Sequence, residues 1–239
     1  METRETQQEF EPERIIQARN PFYEFSLKST QTLFGLTDQG TSGSENVPDG
    51  PVILAPTHRG FNDVPAIAMA LPEKDLVFLA KKELFFPPLG WWFRAAGVIP
   101  VDRRNPEPET FHMAISSLND DKSLVIFPEQ RVKTGPEVDK IHRGFGIIAC
   151  LAGGVPIVPV GIAGSERFKR FFHPRSLHVD FGEPIFPPDL SELYDPSDES
   201  IINGQNQRLV IKATREILDE TKQAMEKCLA KAHKQLAIK

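Results

Sequence analysis

The chain has 239 residues, 40% hydrophobic and 26% charged, which is the balance of a globular protein with one sizeable core and excludes a disordered or fibrous chain. Its formal net charge of −5 argues against a general nucleic-acid surface. No run of 18 apolar residues occurs and mean hydropathy is −0.30, so no segment reads as a membrane-spanning helix.

Met1 to Glu13 is polar and mostly acidic, unlike a secretory signal or an Arg-rich transit peptide, and points to a reducing compartment. Cys150 and Cys228 lie far apart without a CxxC pair, so they read as packing residues. The aromatic-rich segment Phe22 to Leu36 reads as a short helix that caps the domain or lies against lipid. Residues 37–50, rich in Gly, Ser and Pro, read as linker. Residues 1–44 are thus expected to be an N-terminal helix and linker, and 45–239 one domain. Short apolar runs follow at Val52–Pro56, Leu76–Ala80, Val98–Val101, Leu124–Phe127 and Pro156–Gly161, separated by helical-length segments. That alternation predicts an α/β fold with a mostly parallel or mixed sheet flanked by helices on both faces. Leu177–Phe181 alternates His178 and Asp180 with apolar neighbours, as an edge or late strand would. After Pro184, Pro187 and Pro188 comes a long final helix, in which Val210, Ala213, Ile217, Thr221, Ala224, Met225, Cys228 and Ala232 recur at helical spacing.

Charge is unevenly distributed. Acidic residues crowd both ends, whereas Lys81, Lys82, Arg103, Arg104, Arg131, Lys133, Arg143, Arg167, Lys169 and Arg170 lie in the middle. A basic centre in an acidic chain suits one anionic ligand or an anionic membrane surface, with solvated surface charge as the plainer alternative. Parallel strands place ligands at their carboxyl ends. His58, Lys81 with Lys82, Asp102 with Arg103 and Arg104, and Glu129 with Arg131 each follow one predicted strand, so four strand ends deliver charge to one edge.

The segment Thr57-His58-Arg59-Gly60-Phe61-Asn62-Asp63 separates an imidazole and a carboxylate by four residues. With Pro65 close behind, Asp63 can open a helix while His58 stays on the loop, and a short turn brings them together. Asp63 could hold one ring nitrogen and leave the other as a base, worth roughly 10²–10⁴ in rate. A capping Asp beside an unrelated loop His is the alternative. The chain has no GxSxG, P-loop, GxGxxG or HExxH, so nucleophilic-serine, nucleotide and zincin chemistries lack their signatures. A His-Asp pair without an enzyme nucleophile suits attack by a substrate hydroxyl on an activated acyl group.

The ordered blocks HRGFND (58–63), GVIPVDRR (97–104), FPEQR (127–131) and VPIVPV (155–160), preceded by Glu45-Asn46-Val47-Pro48, resemble the glycerolipid (lysophospholipid) acyltransferase family, which includes the 1-acyl-sn-glycerol-3-phosphate acyltransferases. The resemblance runs from about residue 45 to 165. It implies acyl transfer from a thioester, acyl-CoA or acyl carrier protein, to the free hydroxyl of a lysophospholipid, chiefly 1-acyl-sn-glycerol-3-phosphate, with no metal and no bound cofactor. It implies His58 as general base and Asp63 as its orienting partner. Lys81 and Arg103 would bind the acceptor phosphate, Glu129 would hold the glycerol backbone, and Arg131 and, to a lesser degree, Arg143 would assist. Val155–Val160 would line the acyl chain or be a plain core strand. The chain departs from the family at Thr57, where Asn is usual, at Gly60, where Ser is common, and at FPEQR, where FPEGTR is typical. The last departure replaces a flexible Gly by Gln130 and leaves room for a different acceptor headgroup, another lysolipid or glycerol 3-phosphate.

Phe85 to Phe93 holds both tryptophans, Trp91 and Trp92, beside three phenylalanines, and Phe168–Phe172 mixes aromatic and basic residues. Such segments favour a headgroup interface, or else form a buried aromatic cluster. The expected location is peripheral, on the cytoplasmic side of a membrane. A non-catalytic lipid-binding domain and a metal-dependent hydrolase using His58, Asp63 and Glu129 are the competing readings.

Overall fold

The five apolar runs are strands, and two further segments join them. In the computed structural model, which describes residues 39–60, 62–87, 89–105, 107–167, 177–195 and 206–238, they are β1 (Gln39–Ser42), β2 (Ile53–Pro56), β3 (Leu76–Lys81), β4 (Ile99–Val101), β5 (Ser123–Val125), β6 (Ile157–Ala163) and β7 (Leu177–Phe181). They form one sheet in the order β1-β7-β6-β2-β5-β3-β4. From β6 across to β4 every pair is parallel. β7 reverses direction against β6, and β1 lies parallel to β7. The sheet is therefore mixed, with a continuous parallel portion.

The helices are α1 (Asp63–Ala70), α2 (Leu89–Ala95), α3 (Pro108–Asn119), α4 (Arg143–Leu151) and α5 (Gln207–Ile238). Period-2 alternation sorts the strand side chains between the two faces. Ile53, Ala55, Val77, Leu124 and Ile157 join α3, α4 and α5 in one core. Val52, Leu54, Leu76, Val125, Val158, Val160 and Ile162 join Ala66 and Ile67 of α1, and Leu71 just after it, in the other. Helices thus cover both faces, as expected. α3 begins with Pro108 in its first turn, where a missing N–H costs nothing, and Glu109 complements the helix dipole there. α5 buries the predicted stripe, with Val210, Ala213, Ile217, Thr221, Met225, Cys228 and Ala232 all inside. It approaches β6 so closely that a Cβ at Gly161 would overlap the Cys228 and Leu229 backbone. Both cysteines are free and buried, and burial pushes the Cys228 thiol up to about 12. Packing is their role at ordinary pH.

Two expectations are corrected. Gln39–Ser42, read from composition as linker, is the edge strand β1, because its backbone pairs with β7. β7 is consequently interior, and His178 and Asp180 point into the protein instead of outward. Their side chains meet polar partners there: Ser42 Oγ donates to Asp180 and contacts His178 Nε2 at 2.9 Å, and Lys231 Nζ of α5 lies 2.8 Å from Asp180. The predicted helix over Phe22–Leu36 and the aromatic-basic run Phe168–Phe172 fall outside the described residues. No described helix is long and apolar enough to cross a membrane.

After β5 the chain turns sharply, with Gln130 N–H donating to Phe127 O at 3.1 Å. Gln130 sits at φ +59°, the left-handed region that glycine enters without penalty. Gln130→Gly should therefore raise stability by about 0.5–1 kcal/mol, the relief of left-handed strain less the added freedom of the unfolded chain. The denaturant midpoint at constant m-value checks this; an unchanged or lower midpoint would show the turn to be unstrained.

Candidate active site

Because β2, β5, β3 and β4 are consecutive and parallel, the residues that follow them share one edge of the sheet. At the end of β2 the ladder continues one residue: Thr57 N–H donates to Val160 O, and the buried Thr57 Oγ1 accepts Ile162 N–H, both at 2.9 Å. Thr57 thus staples the end of β2 to β6, and the chain leaves the sheet at His58.

The turn from His58 to Asp63 folds around one carboxylate. Asp63, the first residue of α1 and 0% exposed, accepts at a single oxygen, Oδ2, the Arg59 N–H at 2.7 Å and the Gly60 N–H at 2.8 Å. The same oxygen lies 2.7 Å from His58 Nδ1. A carboxylate so placed makes the Nδ1–H tautomer the favoured one and turns Nε2 outward. The His58 side chain is 18% exposed, and its ring packs against Phe127 with centroids 4.4 Å apart. Asp63 Oδ1 and the hydroxyl of Ser165 are buried without a partner among the described residues. Ser165 stands against Gly60: a Cβ at position 60 would lie 2.7 Å from Ser165 Oγ and 2.8 Å from its carbonyl. The space for a side chain at position 60 is already taken.

Glu129 is turned into the protein. It is 0% exposed, its Oε1 accepts the His58 N–H at 3.0 Å, and its Oε2 accepts the Asp139 N–H at 2.9 Å and Arg59 Nη1 at 3.3 Å. Both oxygens of this carboxyl group are therefore engaged by the protein's own main chain and by Arg59, at the residue for which the resemblance implied a hold on the glycerol backbone.

The cations lie nearer the surface. Arg103, two residues past β4, reaches across the end of β3 to donate through Nη1 to Gln130 O. Burial lowers its pKa from the ordinary value, and the nearby Glu83 carboxylate opposes that. Lys81, the last residue of β3, pairs with Glu83 at 3.3 Å at the surface. Arg131 is exposed, with Nε 3.1 Å from Asp139 Oδ2, and Lys133 Nζ lies 3.8 Å from Asp139 Oδ1. Arg143 is exposed at the start of α4. His142, just before it, has its pKa lowered by burial and then by the neighbouring charges of Lys140, Arg131 and Arg103, against Asp139. The structure brings together His58, Asp63 and Glu129, and ties Arg103 to them through the Gln130 turn. Lys81, Arg131 and Arg143 line the same edge, held by acidic neighbours or by none that the described residues supply.

Arg59 escaped the sequence reading. It is 1% exposed and bonds the loop after β5. No local signal marks it, since a lone arginine in a loop reads as solvated charge and its partners lie about seventy residues on.

A family model described as Acyltransferase matches residues 40–163. The 1-acyl-sn-glycerol-3-phosphate acyltransferase of Bacillus subtilis (strain 168) is 32% identical over 170 residues, covering 69% of this chain and 83% of that protein. A protein of the same name from Streptococcus pneumoniae is 32% identical over 157 residues, 65% of this chain; the match spans 58% of that relative's length, less than two thirds. Among solved structures, the 1-acyl-sn-glycerophosphate (LPA) acyltransferase PlsC from Thermotoga maritima superposes with a TM-score of 0.55 over 85% of each chain at 23% identity, a likeness of fold. The match over residues 40–163 takes in the His58–Asp63 turn, Arg103 and the Glu129 loop, and by it this chain belongs to the acyltransferase family.

Proposed function

We propose that the chain transfers a fatty acyl group from a thioester donor to the free hydroxyl of 1-acyl-sn-glycerol-3-phosphate, giving phosphatidic acid, with His58 as general base and Asp63 as its orienting partner. The observation that carries this reading is the 2.7 Å contact of His58 Nδ1 with buried Asp63, which leaves Nε2 as the other nitrogen of a partly exposed ring. Nε2 takes the acceptor hydroxyl proton as that oxygen attacks the thioester carbonyl. The tetrahedral intermediate then expels sulfur, and the imidazolium returns the proton to the thiolate. The donor is acyl-CoA or acyl carrier protein, and neither metal nor bound cofactor enters this sequence. Arg103, with Lys81 and Arg131 in reach of the same edge, neutralises the acceptor phosphate. The names of the two 32% identical relatives support the choice of acceptor.

The surface supports a membrane-bound acceptor. Val64, Leu84, Phe86, Trp91 and Val132 are large exposed apolar residues, and all follow the carboxyl ends of β2, β3 or β5, beside the candidate site. Trp91 is 69% exposed and Phe86 56%, so neither belongs to a buried aromatic cluster, although Phe85 and Phe93 do pack together at 5.5 Å. With Lys81, Lys82 and Arg94 nearby, this edge suits the headgroup layer of an anionic bilayer. The protein is then peripheral to a membrane, with β1 at Gln39–Ser42 belonging to the catalytic domain.

His58→Ala should abolish transfer in folded protein, and Asp63→Asn should be nearly as harmful through loss of the tautomer and of imidazolium stabilisation. Retention of more than a few per cent of wild-type turnover by His58→Ala would remove the base assignment. Arg103→Lys should raise KM for 1-acyl-sn-glycerol-3-phosphate roughly 10- to 100-fold, the loss of a charge-assisted hydrogen bond, and leave donor KM much less changed. Wild type should prefer that monoester to lysophosphatidylcholine; equal use of both would move the acceptor to another lysolipid. Vesicles containing phosphatidylglycerol should bind the protein without detergent. Phe86→Ser with Trp91→Ser should weaken that binding severalfold more than it lowers Tm, whereas a wild type that ignores vesicles would refute the membrane face.

A further inference from the structure

The loop from Thr57 to Gly60 and the loop after β5 share no strand or helix, yet their polar contacts converge on one ion pair. Arg59 Nη1 donates to Glu129 Oε2 at 3.3 Å, to Lys133 O at 3.1 Å and to His58 O at 3.3 Å, and Nη2 donates to Glu137 O at 3.0 Å. Glu129 answers from the other side through the His58 and Asp139 N–H groups. Lys133 N–H donates to His58 O at 2.9 Å. Both main-chain polar groups of His58 are thus held by residues of the 129–142 loop, and both members of the ion pair are desolvated, at 1% and 0% side-chain exposure.

Apolar side chains of similar volume hold two loops together as firmly as a buried ion pair does, without the desolvation penalty. They cannot aim a peptide group. We propose that Arg59 and Glu129 are positioning residues: the pair sets the His58 main chain, and through it the imidazole, relative to the loop that carries Arg131 and the Gln130 carbonyl bound by Arg103. Glu129 acts through the backbone of the base and not on the acceptor. The inference rests on His58 being the base.

Separating the charge from the aim tests it, in the full-length protein with 1-acyl-sn-glycerol-3-phosphate as acceptor. Glu129→Gln keeps the volume and an acceptor for the His58 N–H but strands Arg59. Arg59→Met strands Glu129. The double variant Arg59→Met with Glu129→Gln leaves no stranded charge, but it lacks the guanidinium fork and its bonds to the Lys133 and Glu137 carbonyls. Each single variant should lower Tm, and the double variant should recover most of that loss, because the stranded charge is gone. Turnover should not recover. In the double variant kcat should stay about 100-fold or more below wild type, the scale expected for a base displaced by about an ångström, with acceptor KM within about threefold. Arg59→Lys, which keeps the charge and shortens the reach, should hold Tm near wild type and still lose kcat at least tenfold, so the outcome is readable even where a single variant fails to fold. Recovery of kcat together with Tm in the double variant, or wild-type kcat in Arg59→Lys, would reduce the pair to a structural tie and overturn the proposal. A rise of acceptor KM beyond tenfold in Glu129→Gln at near-normal kcat would return Glu129 to the acceptor. His58→Ala measured alongside keeps the two readings apart: if it retains turnover the base assignment fails, and if it is inactive the results at Arg59 and Glu129 bear on positioning alone.

Discussion

A carboxylate at 0% exposure has no water to answer its charge, so the donors that do answer it become part of the architecture. Asp63 and Glu129 are both in this position. Between them they draw in the main-chain N–H groups of His58, Arg59, Gly60 and Asp139, one imidazole and one guanidinium. The stretch between β2 and α1 has few regular hydrogen bonds of its own, and its shape is the one that satisfies these two charges. Everything nearby inherits that geometry: the direction of the His58 ring, the seat of Phe127 against it, and the path of the loop after β5.

The sheet makes such a cluster possible. Strand order β2-β5-β3-β4 sets side by side segments that the chain supplies in a different sequence, and the parallel sense puts all their carboxyl ends on one edge. Arg103 exploits this by passing over the end of β3 to the carbonyl of Gln130. That bond helps explain how a glutamine occupies a left-handed turn position: the carbonyl is held where the turn needs it, so the side chain carries strain that the neighbouring contact offsets.

Much of this was legible beforehand for identifiable reasons. Strands β2 to β6 are short apolar runs, with β2, β5 and β6 buried throughout, the strongest signal a parallel sheet leaves in a sequence, and α5 shows an unbroken stripe at helical period. The His58–Asp63 pair was legible because its geometry is local. What was illegible is non-local. β1 is Gln-Gly-Thr-Ser, four residues with linker composition, and only pairing with the distant β7 makes them a strand. His178 and Asp180 mimic the outward face of an edge strand, since alternation records polarity but not whether a helix brings Lys231 to meet it. Glu129 and Arg59 are each ambiguous alone, and their pairing becomes visible only when the ends of β2 and β5 are adjacent.

The two buried carboxylates carry one further chemical consequence. The N–H groups of His58, Arg59 and Gly60 are all spent on them. Loops that follow parallel strands often lend such main-chain donors to an oxyanion hole, and a tetrahedral acyl intermediate develops its negative charge on the former carbonyl oxygen. Here those three donors are committed to the two buried carboxylates that hold the His58–Asp63 turn. Under the proposed chemistry, the N–H groups of His58, Arg59 and Gly60 cannot also receive the charge the attack creates, and the oxyanion must find other donors.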